Sequence, residues 1–192
     1  MQKEEVHKNK AIFLDRDGVI NKEINYLHKI EDFEFTENCI AALKTLQSYG
    51  YLLFIITNQA GIGRGYYTEA DFHQLNNWML TKLSEHGVVI TEVRFCPHHP
   101  EQGIGKYKIN CDCRKPKTGL ITPLIEKYNI DTKKSILIGD KMSDIKAGEA
   151  TNINTLILVK TGHELPAEIP VIVSAVHNSL ATFATSLPTN NL

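Results

Sequence analysis

Ile12-Phe13-Leu14-Asp15-Arg16-Asp17-Gly18-Val19-Ile20-Asn21 joins an apolar run suited to a buried strand to two carboxylates, Asp15 and Asp17. On an extended backbone, residues two apart point the same way, so both acids face one place. Two like charges that close are unfavourable unless a cation lies between them or one keeps a proton. A hard cation such as Mg²⁺, which takes oxygen ligands, suits the position. Gly18 lets the chain turn away and leaves room for a ligand near the backbone. Asp and Gly are also ordinary turn residues, so this stretch alone leaves a plain polar turn open.

Outward from it, strand-like runs alternate with helix-like ones, the pattern of an α/β fold with a mostly parallel sheet. Strands are expected at Ala11–Leu14, Leu52–Thr57, Val93–Cys96, Ile136–Gly139 and Thr155–Val159, with a short sixth at Val171–Val173. Their near-continuous Ile, Leu, Val and Phe content fits strands covered on both faces, hence a Rossmann-like three-layer sandwich. Helices are expected over Glu37–Tyr49, capped by Thr36 and stopped by Gly50, and over Glu69–His86, Gly119–Tyr128 and Asp144–Ala150. Cys39 falls on a buried helix face and reads as packing. Residues 160–192 read as a last strand, a helix and a loose polar end without a legible function.

The chain has 192 residues, 42% hydrophobic and 22% charged, which suits one globular domain with a real core. A formal net charge of -1 gives no long-range attraction to nucleic acid or an acidic membrane, so any anion site must be local. No apolar run approaches the roughly 20 residues needed to cross a bilayer, and the first ten residues are charged rather than signal-like. A cytoplasmic, monomeric protein is expected. Three of the four cysteines, Cys96, Cys111 and Cys113, lie within eighteen positions. In a reducing compartment such clustering suggests metal more than disulfide.

In an open α/β sheet, ligands bind beyond the carboxyl ends of the strands. The second strand ends in Thr57-Asn58-Gln59-Ala60-Gly61-Ile62-Gly63-Arg64-Gly65. Thr57 supplies a hydroxyl there, and the backbone N–H groups that follow, from Asn58 and Gln59 onward, can close around a phosphate oxygen. Arg64, set among glycines, favours anion binding. The fourth strand ends in Gly139-Asp140-Lys141, which adds a third carboxylate at the same edge. Asp144 reads as an early-helix acid favoured by the macrodipole, with at most a supporting role.

Residues 96–117 have no periodicity, and loops this long inside compact domains are uncommon unless something organises them. Cys96-Pro97-His98, twelve intervening residues, then Cys111-Asp112-Cys113 supply three thiolates and an imidazole. That set suits closed, tetrahedral, structural Zn²⁺ over loop 96–113; His99 competes with His98 as the fourth ligand. Arg114 and Lys115 follow directly before a helix, a bidentate grip and a point charge suited to phosphate.

Taken in order, these pieces resemble the haloacid dehalogenase-like phosphatases over roughly residues 11–162. The four motifs are Asp15-Arg-Asp-Gly-Val-Ile, Thr57-Asn58, Lys115 and Gly139-Asp140. The closer resemblance, carried by Cys96-Pro-His-His-Pro100 and Cys111-Asp-Cys-Arg-Lys-Pro116, is to the capless heptose bisphosphate 7-phosphatase branch, which has a zinc loop in place of a cap domain. The resemblance implies that Asp15 attacks phosphorus and forms an aspartyl-phosphate, and that Asp17 protonates the leaving oxygen and then activates water. It implies Mg²⁺ on Asp15, the Asp17 backbone carbonyl and Asp140, with Thr57 and Lys115 steadying the phosphoryl group. It implies Arg114, Arg64 and Lys141 as substrate contacts for a small phosphorylated sugar, and a flap over Asn21–His28. Histidinol-phosphate phosphatases share the motifs and the zinc loop. A non-catalytic zinc-stabilised binding domain is the reading from another class.

Overall fold

The computed structural model describes residues 8–188; part of the polar end expected within residues 160–192 lies outside them. Strands β1 (Ala11–Leu14), β2 (Leu52–Asn58), β3 (Glu92–Cys96), β4 (Ile136–Gly139), β5 (Thr155–Val159) and β6 (Ala175–His177) pair in parallel in the order β3-β2-β1-β4-β5-β6. The helices are α1 (Cys39–Ser48), α2 (Ala60–Gly63), α3 (Glu69–Glu85), α4 (Thr122–Lys127), α5 (Met142–Ala150) and α6 (Leu180–Ser186).

The strand pleat sorts the side chains into two cores. Ile12 and Leu14 join Leu53, Ile55, Ile136 and Ile138 on one face, covered by Leu43 and Leu46 of α1, Met79 and Leu83 of α3, and Phe183 of α6. Ala11 and Phe13 join Phe54, Ile56 and Leu137 on the other, covered by Leu124 of α4 and Ile145 of α5. With both faces buried, neither set can be polar, which is why these strands read as continuous apolar runs.

β6 lies four residues beyond the expected Val171–Val173. Residues 171–173 instead form a turn closed by Val173 N donating to Pro170 O at 2.9 Å, and Val171 is fully exposed. Both segments have strand-forming residues, and the turn after Pro170 decides which one reaches β5. Thr36 does not cap α1; its hydroxyl donates to Val19 O at 2.8 Å, and Asn38 in the left-handed region opens the helix. α5 begins at Met142, because the Asp144 carboxylate accepts Lys141 N at 3.1 Å and caps that turn.

Two connections shape the site. Between β1 and α1 the chain doubles back through short bridges of Asn21 to Asp17 and to Phe35. Residues 97–121 run from β3 to α4. Among the described residues neither connection holds a further sheet, and no helix is long and apolar enough to cross a membrane.

Candidate active site

The strand order reverses direction between β1 and β4, and the carboxyl ends that diverge there form a crevice. Asp15 leaves β1 into it with its N–H on Ile138 O of β4 at 3.0 Å, so Asp140, at the end of β4, is its neighbour. A cleft of about 280 Å³ opens above them, lined by Asp15, Asp17, Thr57, Asn58, Gln59, Arg64, Arg114, Lys115, Lys141 and Asp144 among others. Every residue expected at the phosphate-handling site except Asp140 thus lines one cleft, and Asp140 lies directly beneath Gly18.

Lys115 is one of two buried cations of this site. Its Nζ lies 3.0 Å from Asp15 Oδ1 and 2.8 Å from Asp144 Oδ1, and donates to Ile56 O at 2.6 Å. Burial alone would discharge it, but Asp144 and Asp15 outweigh that and raise its pKa above the ordinary lysine range. Burial pushes Asp15 up to about 6; Lys115 pulls it back, and Asp144 and Asp17 add repulsion. Removing one partner of a buried pair strands the other charge. Lys115→Met is therefore expected to cost about 3–5 kcal/mol of stability at neutral pH. The loss should shrink at pH 5, where Asp15 takes a proton. Urea unfolding at the two pH values measures it.

Asp140 is almost fully buried, and its two oxygens are treated differently. Oδ2 accepts from His163 Nδ1 at 2.7 Å and from His163 N at 3.0 Å, whereas Oδ1 is buried without a hydrogen-bond partner. Burial and the charge of Asp15 raise the Asp140 pKa. Oxygens of Asp15, Asp140 and Asp144 lie within 4.8 Å of one another. An orphaned carboxylate oxygen in such a cluster fits a hard divalent cation, which takes oxygen ligands.

Asp17 has its own cation. Arg16, 1% exposed, folds back so that Nη2 meets Asp17 Oδ1 at 2.8 Å and Oδ2 at 3.0 Å, with its plane over Phe72. Asn21 Nδ2 and Gln59 Nε2 donate to the same carboxylate, each at 2.9 Å. Burial opposes the charge, but Arg16, Asn21 and Gln59 prevail and hold the Asp17 pKa below the usual range. The repulsion between Asp15 and Asp17 is thus relieved by two protein cations, one for each acid, before any metal is considered.

The remaining polar residues tie the rim together. Asn58 Nδ2 donates to Lys115 O and Asn58 Oδ1 accepts from Lys115 N, both at 3.0 Å, so the end of β2 fixes the loop that carries the lysine. Gln59 is buried, donating to Thr57 Oγ1 at 2.8 Å and accepting from the Tyr67 hydroxyl. Arg64 Nη1 donates to the Tyr26 hydroxyl at 2.7 Å, which joins the 21–28 segment to the cleft wall. Lys141 lines the same cleft from the residue before α5, its N–H held by the Asp144 carboxylate.

Cys96, His98, Cys111 and Cys113 converge from the end of β3 and the far end of the loop. Their ligand atoms are 3.8 Å (Cys96 Sγ to His98 Nδ1), 3.5 Å (Cys96 to Cys111), 3.5 Å (Cys113 to His98) and 3.2 Å (Cys113 to Cys111) apart. A tetrahedron of radius about 2.3 Å, the Zn–S distance, has edges of roughly 3.8 Å. Burial pushes the Cys96 and Cys113 thiols up, whereas for Cys111 the hydrogen bonds from Cys113 and Cys96 outweigh burial and lower it, so Cys96 and Cys113 join it as thiolates only with a cation among them. His99 turns away, its Nδ1 accepting Gln102 N at 3.0 Å, which leaves His98 as the imidazole of the cluster. Arg114 Nη1 donates to His98 O at 3.3 Å, so the cluster and the cationic pair are one unit.

The sequence assigns no role to Arg16, Thr161 or His163, and it places Asn21 and Glu23 only within the 21–28 flap. Arg16 carried one usable signal: a cation between two acids that need charge relief. His163 carried none, since only the fold brings it to Asp140.

A family model described as HAD-hydrolase-like matches residues 112–183. A D-glycero-alpha-D-manno-heptose-1,7-bisphosphate 7-phosphatase of Photorhabdus laumondii is 51% identical over 178 residues, 93% of this chain and 96% of its own. A D-glycero-beta-D-manno-heptose-1,7-bisphosphate 7-phosphatase of Haemophilus ducreyi is 48% identical over 172 residues, 89% of this chain and 94% of its own. Among solved structures, a D,D-heptose 1,7-bisphosphate phosphatase from B. bronchiseptica, complexed with magnesium and phosphate, superposes with a TM-score of 0.76 at 26% identity, covering 92% of this chain and 96% of that one.

Proposed function

The chain belongs to the haloacid dehalogenase-like phosphatases, in the family of the heptose 1,7-bisphosphate 7-phosphatases, and on that premise we propose that it hydrolyses the 7-phosphate of D-glycero-D-manno-heptose 1,7-bisphosphate. The observation that carries this reading is the convergence of Asp15, Asp17, Thr57, Lys115 and Asp140 at one crevice beside a Cys₃His cluster.

In this reading the chain acts as one catalytic domain. Asp15 attacks phosphorus and holds the phosphoryl group as an aspartyl-phosphate, which splits hydrolysis into two easier steps. Its neighbour Lys115 steadies charge on the transferring group, and the Thr57 hydroxyl contributes a hydrogen bond. Asp17, ionised in the resting site, is ready to act as base toward the water of the second step. For the first step it must carry a proton to the leaving sugar oxygen, and the arriving phosphate, a like charge beside it, raises its proton affinity. Asp15 and Asp140, with the Asp17 carbonyl, would hold Mg²⁺. When bound, that ion offsets the charge between nucleophile and phosphate. Arg64, Arg114 and Lys141 grip the rest of the substrate, with Asn58 and Gln59 shaping the wall beside it.

Zn²⁺ on Cys96, His98, Cys111 and Cys113 is structural in this reading, since four protein ligands leave no open position. Reduced thiols in that cluster suit the cytoplasm. In this reading the chain acts as a monomer on a small phosphorylated sugar, with neither nucleic acid nor membrane as partner.

The test is Mg²⁺-dependent phosphate release from heptose 1,7-bisphosphate beside histidinol phosphate, with the product identified by phosphorus NMR. Strong preference for the bisphosphate and recovery of the sugar 1-phosphate are expected. Preference for histidinol phosphate would overturn the substrate assignment while keeping the catalytic residues. No release from either would favour a non-catalytic binding domain.

A further inference from the structure

The loop that follows β5 has no part in the chemistry above, yet three of its residues close on the acid edge of the crevice. Thr161 Oγ1 donates to the Gly18 carbonyl. Gly162 lies so close to Asp140 that any side chain there would collide with the carboxylate. Gly18, at φ +83°, abuts Gly162 against the same oxygen: a Cβ there would sit 2.6 Å from Asp140 Oδ2 and 2.8 Å from Gly162 Cα. Only two glycines let both segments press against one carboxylate.

His163 then makes two hydrogen bonds to Oδ2, from its main-chain N at 3.0 Å and from its ring Nδ1 at 2.7 Å. An ionised carboxylate only accepts, so Nδ1 carries the proton. Glu23 Oε2, on the segment that leaves the nucleophile loop, lies 3.8 Å from the same ring nitrogen and faces it from the cleft.

We propose that His163 is a positioning residue for Asp140: it saturates Oδ2 and leaves Oδ1 as the one atom presented to a cation. The inference deepens the magnesium reading above and rests on it. The torsion that swings a carboxylate is soft and roughly two-fold, so an unheld Asp140 would offer either oxygen in several orientations. Two hydrogen bonds and two glycine contacts remove that freedom during folding rather than at metal binding. Partners of this kind, bonded to the ligand rather than to the metal, typically change metal affinity or activity by about 10–100-fold when removed.

The experiment is calorimetric titration of Mg²⁺ into the phosphate-free protein, with turnover measured against Mg²⁺ concentration, for the parent, His163→Ala and His163→Asn. His163→Ala is expected to bind Mg²⁺ about 10–100-fold more weakly. Its loss should fall on the Mg²⁺ needed for half-maximal turnover more than on kcat. His163→Asn, whose amide nitrogen reaches the place of Nδ1, should recover most of the affinity. A merely structural residue would shift the thermal midpoint of the metal-free protein instead, and that midpoint is expected to hold. His163→Ala binding as tightly as a Mg²⁺-binding parent would overturn the assignment of His163 alone, as would His163→Asn no better than His163→Ala. A parent that binds no Mg²⁺ would overturn the magnesium reading and this inference with it.

Discussion

Asp15→Asn is expected to abolish phosphate release while leaving the folded protein intact and, without metal, no less stable than the parent. The loss of activity follows from the nucleophile: an amide cannot form the acyl phosphate, and removal of a nucleophile costs on the order of 10⁴-fold or more in kcat. The stability result follows from the shifted proton affinity. The unfolded chain releases the Asp15 proton near 3.8, whereas the folded protein holds it up to about 6. Between those values the folded state binds more protons, so this group's contribution to stability falls as pH rises through the window. Asparagine has the same shape and no charge to desolvate, and Lys115 keeps Asp144 at 2.8 Å as partner. The gap between variant and parent should therefore open between pH 4 and pH 6 and favour the variant at neutral pH. Thermal unfolding of both metal-free proteins across that range, with a phosphate-release assay, measures both claims. Substantial residual turnover would remove Asp15 from the role of nucleophile. Loss of stability at neutral pH would mean that its pairing with Lys115 outweighs the cost of burial.

Cys111→Ala is expected to release zinc, loosen the 97–118 loop and lower kcat/KM by a factor on the order of 10², the cost of a site residue displaced by about an ångström. The loop has no regular core of its own. It returns to β3 through Cys111 and Cys113, and Arg114 and Lys115 follow at once. Structural zinc in small domains contributes folding free energy outright, and here that contribution falls on the segment that delivers the buried cation to Asp15. Metal analysis of the purified variant and limited proteolysis mapped by mass spectrometry report the two structural effects. The sheet should survive, because within the loop only Cys111 and Cys113 pack against the second core, at its margin, and the first core draws on none of it. A parent purified without zinc and fully active would end the structural-zinc reading.

Much of the site could be read without coordinates, for reasons local to the chain. Extended backbone puts Asp15 and Asp17 on one side, continuous apolar runs require strands buried on both faces, and thiols paired across an aperiodic loop call for a metal. Each of these depends on residues near one another in sequence or on a repeating period. The place of β6 is not legible locally, because two adjacent short apolar runs compete for the same edge of β5 and the turn after Pro170 settles it. His98 rather than His99 entered the cysteine cluster because the His99 ring is held by the turn that follows it.

Local pattern along the chain is enough for the α/β class, the edge of the sheet where chemistry gathers, and the residue types that meet there. How the charges are shared emerges with the packed fold: Arg16 turned inward onto Asp17, Lys115 shared between Asp15 and Asp144, and His163 locked onto one oxygen of Asp140. The physical reason is that desolvation and hydrogen-bond partnership are properties of a place in the folded molecule. Burial raises the cost of every unpaired charge, and which cation answers which acid depends on strand order and on loops far apart in the chain.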